Sequence, residues 1–172
     1  MRRFRTERRR GVAVVEFAFV APLLFILLLG LWEVGRLIQL QQTLSNAARE
    51  GARIAAQGLT INSTGSPTLI KVNTGSPNVK TTIFNYLKQN GFASISLSDL
   101  NVTFQFLDGD TSKTDPYQGT KGQMFRVSLT VPAASLQWTV LGPIQPATLS
   151  ASVVWFCLVD DEFTLDPTLP NW

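Results

Sequence analysis

The run Arg10-Gly11-Val12-Ala13-Val14-Val15-Glu16-Phe17-Ala18-Phe19-Val20-Ala21-Pro22-Leu23-Leu24-Phe25-Ile26-Leu27-Leu28-Leu29-Gly30-Leu31-Trp32-Glu33 decides the fold. Between its two end charges stand 22 residues, 11–32, with one formal charge, at Glu16. As a helix they span about 33 Å at about 1.5 Å per residue, close to the hydrocarbon thickness of a bilayer. The stretch 17–32 is wholly apolar, and Trp32 suits an aromatic anchor at the far interface.

The charges upstream give this span a direction. Residues 1–10 hold six arginines, Arg2, Arg3, Arg5, Arg8, Arg9 and Arg10, against Glu7, whereas the other 162 residues carry nine basic and eleven acidic groups. A basic flank before an apolar span predicts a cytoplasmic N-terminus and an exported remainder. The rest of the chain has no basic stripe with interleaved aromatics, so no nucleic-acid partner is expected. A cleaved secretory signal is the rival reading, but Leu31-Trp32-Glu33 is too bulky for its cleavage site and Ala47-Ala48 lies too far on.

The helical pattern does not stop at Trp32. Val34, Leu37, Leu40 or Gln41, Leu44, Ala47, Ala48, Gly51, Ala52 and Ala55 continue at three and four spacing, opposite Glu33, Arg36, Gln39, Gln42, Asn46, Arg49, Glu50 and Arg53. A helix over residues 12–57 would be about 69 Å long, with Gly58 as its stop. The small residues Ala47, Ala48, Gly51, Ala52 and Ala55 permit close approach of another backbone or of a sheet, and mark helix packing rather than a bare stalk.

Two residues inside the span stand out. Pro22 removes one backbone hydrogen bond and is a place for a kink. Glu16 either reaches back to the headgroup layer or is protonated, or it pairs with a cation on a partner chain; the residues alone leave both open.

Arg10-Gly11-Val12-Ala13-Val14-Val15-Glu16-Phe17 before a long apolar helix resembles a class III, prepilin-type signal. With Pro22-Leu23-Leu24, Gly35-Arg36 and Asn46-Ala47-Ala48-Arg49-Glu50-Gly51-Ala52-Arg53, residues 10–56 are similar to the TadE-like family of minor pilins and pseudopilins of tight-adherence (Flp, type IVb) pilus systems. The resemblance implies cleavage between Gly11 and Val12 by a prepilin-type peptidase, and subunit pairing of Glu16 with the new amine of a neighbour's Val12. It also implies a single pass through the bacterial inner membrane, partnership with the lipid bilayer and other Tad pilins and assembly proteins, and an extracytoplasmic domain. Phe17 stands where major pilins of this class often carry tyrosine, which favours a minor or assembly component.

The exported half reads more coarsely. Residues 59–78 repeat Thr64-Gly65-Ser66-Pro67 as Thr74-Gly75-Ser76-Pro77 and predict an exposed loop, with Leu69, Ile70 and Val72 enough for one short edge strand. Ser76 with Pro77 predicts a helix start, Val79, Ile83 and Leu87 one buried face, and Gly91 the end. Ile95 and Leu97 are expected to begin a sheet that continues in two alternations, Val102, Phe104, Phe106 and Phe125, Val127, Leu129, Val131, the second ended by Pro132. After an apolar connection over 136–141 and a Gly142-Pro143 turn, a last strand over 148–158 places Leu149, Ala151, Val153, Trp155 and Cys157 on one side. Asp108, Asp110 and Asp115 lack the ligand spacing of a calcium loop, and the acidic tail from Asp160 to Trp172 predicts a flexible end.

The expected fold class is α+β, with a long N-terminal transmembrane helix continuing into a pilin-like domain of a short helix and a small antiparallel sheet. Its divisions are a basic leader at 1–11, a transmembrane helix at 12–32, a helix extension at 33–57, an α+β domain at 58–159 and a tail at 160–172. With no His and one Cys, the 172 residues offer no His-based metal site and no His-dependent catalytic set, so no enzyme, cofactor or metal is expected. The expected function is structural, in pilus assembly; the alternative is a membrane-anchored adhesion or binding module.

Overall fold

The computed structural model describes residues 7–61, 65–136 and 147–158. Arg2, Arg3 and Arg5, Thr64, most of the expected connection over 136–141, the turn after it, and the acidic tail lie outside the described residues.

Helix α1, Glu7–Gln57, forms the axis of the molecule. It begins five residues before the expected Val12 and takes in Gly11, because Glu and Arg are good helix formers and one interior glycine costs only about 1 kcal/mol. It continues through Pro22 and is about 77 Å long. Gly58 ends it as expected, at a φ of 64° open to glycine, with its N–H bonded to the Ala55 carbonyl at 3.1 Å.

The last third of α1 supplies one wall of the core. Leu44, Ala47, Ala48, Ala52, Ala55 and Ala56 are fully buried there. Helix α2, Val79–Gln89, packs on this wall through Val79, Ile83 and Leu87. It runs antiparallel to α1, since Val79 and Ile83 meet Gly51 while Asn90 and Phe92 share a small pocket with Gln39 and Thr43. The cap of α2 is Asn78 and not Ser76: Thr81 N–H donates to Asn78 Oδ1 at 2.8 Å, which leaves Pro77 outside the helix.

Three antiparallel strands, β3 at Asn101–Phe106, β4 at Met124–Pro132 and β5 at Thr148–Phe156, lie in that order. The rows Val102-Leu129-Ala151, Phe104-Val127-Val153 and Phe106-Phe125-Trp155 share the inner face, which the hydrophobic alternation requires. Phe104 stacks on Phe125 at 5.1 Å and meets Phe106 edge-on at 4.9 Å. The second part of α1 packs against β5 and β4, closing the core.

Two expectations need correction. Ile95 and Leu97 form no strand: Ser96 N–H donates to Asp99 Oδ2 at 3.0 Å and Asp99 N–H to the Ser96 carbonyl at 3.1 Å, so local bonds close a turn that buries Ile95 and exposes Leu97. The segment after α1 is not simply an exposed loop. Strand β1, Leu59–Ile61, pairs with β2, Pro67–Leu69, and the chain then buries Ile70 and Val72 as Ile70 N–H bonds the Gly58 carbonyl at 2.8 Å.

Candidate functional site

Gly11, Val12 and Glu16 lie on consecutive turns of α1, with Val12 and Glu16 four residues apart on one face. All three are exposed, and a side chain added at Gly11 would meet nothing within 4 Å. The 11–12 peptide bond is therefore open from the side but helical, so a protease that takes an extended substrate must first unwind this turn. Glycine at the position lowers the cost of doing so.

The uncovered surface continues up the helix. Val14, Phe17, Phe19, Leu23, Phe25 and Leu31 are all more than half exposed, and the most apolar 18-residue window has a mean hydropathy of 2.7 with none of it buried in the protein. An apolar surface of this extent requires lipid or other helices around it. Among the described residues this is the one helix long and apolar enough to cross a membrane.

The other site residues are elsewhere and in a different state. Ala47, Ala48, Gly51, Ala52 and Ala55 are buried within their own chain, about 47 Å of helix rise from Glu16, and do not join Gly11, Val12 or Glu16. A Cβ on Gly51 would stand 2.5 Å from Ile83 Cδ1. The small residues of this seam admit α2 and the sheet, leaving no room there for a partner's helix.

Two contacts escaped the sequence reading because they join distant segments. Gln41 Nε2 donates to the Ser150 carbonyl at 2.9 Å, and Leu158 N–H to the Ala56 carbonyl at 2.7 Å. They pin both ends of β5 to α1, so the head is carried rigidly by the helix. On the outer face of α1, Arg53 donates to both carboxylate oxygens of Glu50, at 2.6 and 3.0 Å. That bond holds the Glu50 carboxyl below its usual range and raises the guanidinium.

The aspartates of the loop after β3 are engaged in hydrogen bonds, one within a turn and two to other segments. Asp115 Oδ1 accepts from Val72 N–H at 2.9 Å, Asp110 Oδ1 from Ser112 N–H at 3.0 Å, and Asp108 from Gln123. Among the described residues no group of three or more His, Cys, Asp or Glu is placed to hold a metal ion.

An α+β head on one long apolar helix defines the class: the architecture fits a protein anchored by a single membrane pass. Within that class, residues 11–53 match the family model described as TadE-like protein. The match covers a quarter of the chain and falls entirely on α1. No curated protein and no solved structure matches the chain.

Proposed function

We propose that the chain is a TadE-like minor pilin, or pseudopilin, with a structural and non-enzymatic part in assembling a tight-adherence pilus. The observation that carries this reading is the coincidence of the TadE-like match with a helix whose first half is uncovered. A prepilin-type peptidase removes residues 1–11 on the cytoplasmic side of the inner membrane, and the head stands on the extracytoplasmic side. Val12 then begins the mature chain, and its ammonium is a cation at the level where the span starts.

Glu16 is the acceptor for that cation on a neighbouring pilin. Val12 and Glu16 of one chain are separated by about 6 Å of helix rise, so pairing between chains staggers the neighbours axially by about one turn. Both groups are costly when unpaired in a low-dielectric bundle, and the pairing removes both costs. The head cannot contribute its alanine seam to the bundle, because α2 and the sheet already occupy it. Contacts with other Tad pilins are therefore made by residues 12–34.

Cysteine crosslinking in a Cys157→Ala background tests the assignment. Cysteines at Val20, Leu27 and Val34 should capture pilus components, and cysteines at Ala48 and Ala52 should capture none. Absence of pilus crosslinks from all five, with normal piliation after deletion of the gene, would move the function to a membrane-anchored binding module.

A further inference from the structure

The end of the head nearest Trp32 holds a cavity of about 80 Å³ between α1 and the turn after α2. Arg36, Gln39 and Thr43 line it from one face of α1, and Asn90, Gly91 and Ser94 line it from the turn. One water needs about 10–15 Å³ of such space, so the cavity admits a group of several heavy atoms. Among the described residues that line it, Arg36 is the one charged side chain; Glu33, a turn lower on α1, does not line it. Further N–H donors stand beside the guanidinium. The Asn90 amide gives one hydrogen to the Tyr86 carbonyl at 2.8 Å and keeps a second, Gln39 adds its amide, and Gly91 N–H has no partner among the described residues.

A guanidinium surrounded by amide donors suits an anion with several oxygens. The C-terminal end of α2 brings partial negative charge to the same place. Asn90 and Phe92 N–H groups already bond its Tyr86 and Leu87 carbonyls, however, and Lys88 stands in its last turn, so Arg36 sets the sign of the cavity.

The height of the cavity identifies the anion. Arg36 lies four residues beyond Trp32, about 6 Å of helix rise. A bilayer of about 30 Å in its hydrocarbon core and about 40–45 Å with its headgroups gives each headgroup layer about 5–8 Å. The cavity therefore opens where lipid phosphates stand. Below it the same face of α1 continues through Trp32, Leu29 and Phe25, all more than half exposed, as an apolar track for an acyl chain. We propose that the cavity holds the phosphate of a phospholipid of the extracytoplasmic leaflet, with Arg36 as its cation and Gln39, Asn90 and Gly91 N–H as donors. The site rests on the reading of α1 as a single membrane pass. Because Gln41 and Leu158 tie the head to α1, a lipid held there fixes the depth of the span, and with it the level of Glu16, about 30 Å of helix rise away.

The test uses the full chain in micelles of a non-ionic detergent and reads backbone amide shifts at Gly91, Phe92 and Val127. The three probes are dioleoylphosphatidylglycerol, dioleoylglycerol and inorganic phosphate. Phosphatidylglycerol should shift Gly91 and Phe92 saturably and leave Val127 in place. Arg36→Gln should weaken that binding at least about tenfold, and so should Gln39→Glu, which sets a repelling charge at an exposed position and spares the core. Arg49→Gln, about 20 Å further along α1, should leave it unchanged. Equal shifts with dioleoylglycerol, equal shifts with inorganic phosphate at the same concentration, or undiminished binding in both cavity variants would each overturn the proposal. Membrane fractionation reports the span separately: a chain that stays with membranes yet shows no lipid shift overturns the phosphate site alone, and a chain that leaves them overturns the single-pass reading as well.

Discussion

Gly51 lies directly beneath Ile83, so close that a Cβ on Gly51 would come within 2.5 Å of Ile83 Cδ1 and 2.6 Å of Cγ1. This contact sets the spacing of the two helices. Gly51→Ala should destabilise the head by about 1–3 kcal/mol through overpacking, despite the roughly 1 kcal/mol gained in helix propensity. Adding Ile83→Val removes the nearest methyl, so the double variant should be less destabilised than the two single effects added. Denaturant midpoints of the four chains in micelles measure the coupling.

Among the described residues Asn78 is the one buried polar residue, 4% exposed, and it serves two segments at once. Its Oδ1 caps α2 at Thr81, and its Nδ2 donates to the Gly75 carbonyl at 2.7 Å. Asn78→Ala should cost about 1–2 kcal/mol, and Asn78→Asp less, because the cap acceptor survives. Thermal unfolding of both variants beside the parent checks the order.

These two residues also show what was legible in the sequence. Leu44, Ala47, Gly51 and Ala55 announced a packed helix face by spacing alone, and the alternations of β3, β4 and β5 announced the inner face of the sheet. Spacing does not identify the surface that covers a face, so the alanine seam looked equally open to a partner backbone or to a sheet. Asn78 was missed because Ser76-Pro77 carries the stronger local start signal, and the bond to Thr81 decides the matter only in three dimensions. Ile70 and Val72 sit among turn formers, and only the return of the chain past Gly58 buries them. At the N-terminal site, Gly11, Val12 and Glu16 were readable as a motif, while the helix that runs back through them to Glu7 was not.

Burial holds the Cys157 thiol above its ordinary range, against a smaller opposing effect of Lys113. The folded chain thus keeps this proton at pH values where the unfolded chain has lost it. The stability gained is fully present below the ordinary thiol pKa of about 8.5 and declines as pH rises from there through the elevated native value. Between about pH 7.5 and 10 the parent should therefore lose stability relative to Cys157→Ala, read as converging or crossing denaturant midpoints.

Glu16→Gln keeps the shape of the side chain and removes its charge. The variant should insert in the membrane and be processed, because a carboxyl near the end of the span is not what drives insertion, yet it should recover at least about tenfold less of its pilin partners in pulldown. Membrane fractionation and pulldown from the same cells separate the two steps. Undiminished association would return Glu16 to an interface-facing role.

The account rests most directly on the bond between Gly11 and Val12. Intact mass and N-terminal sequence of the membrane-extracted protein, from cells with and without the prepilin-type peptidase, measure its fate. The account predicts a mature chain beginning at Val12 when the peptidase is present, retention of residues 1–11 when it is absent, and retention in Gly11→Ala in both. A chain that keeps its arginine leader in the presence of an active peptidase would contradict it.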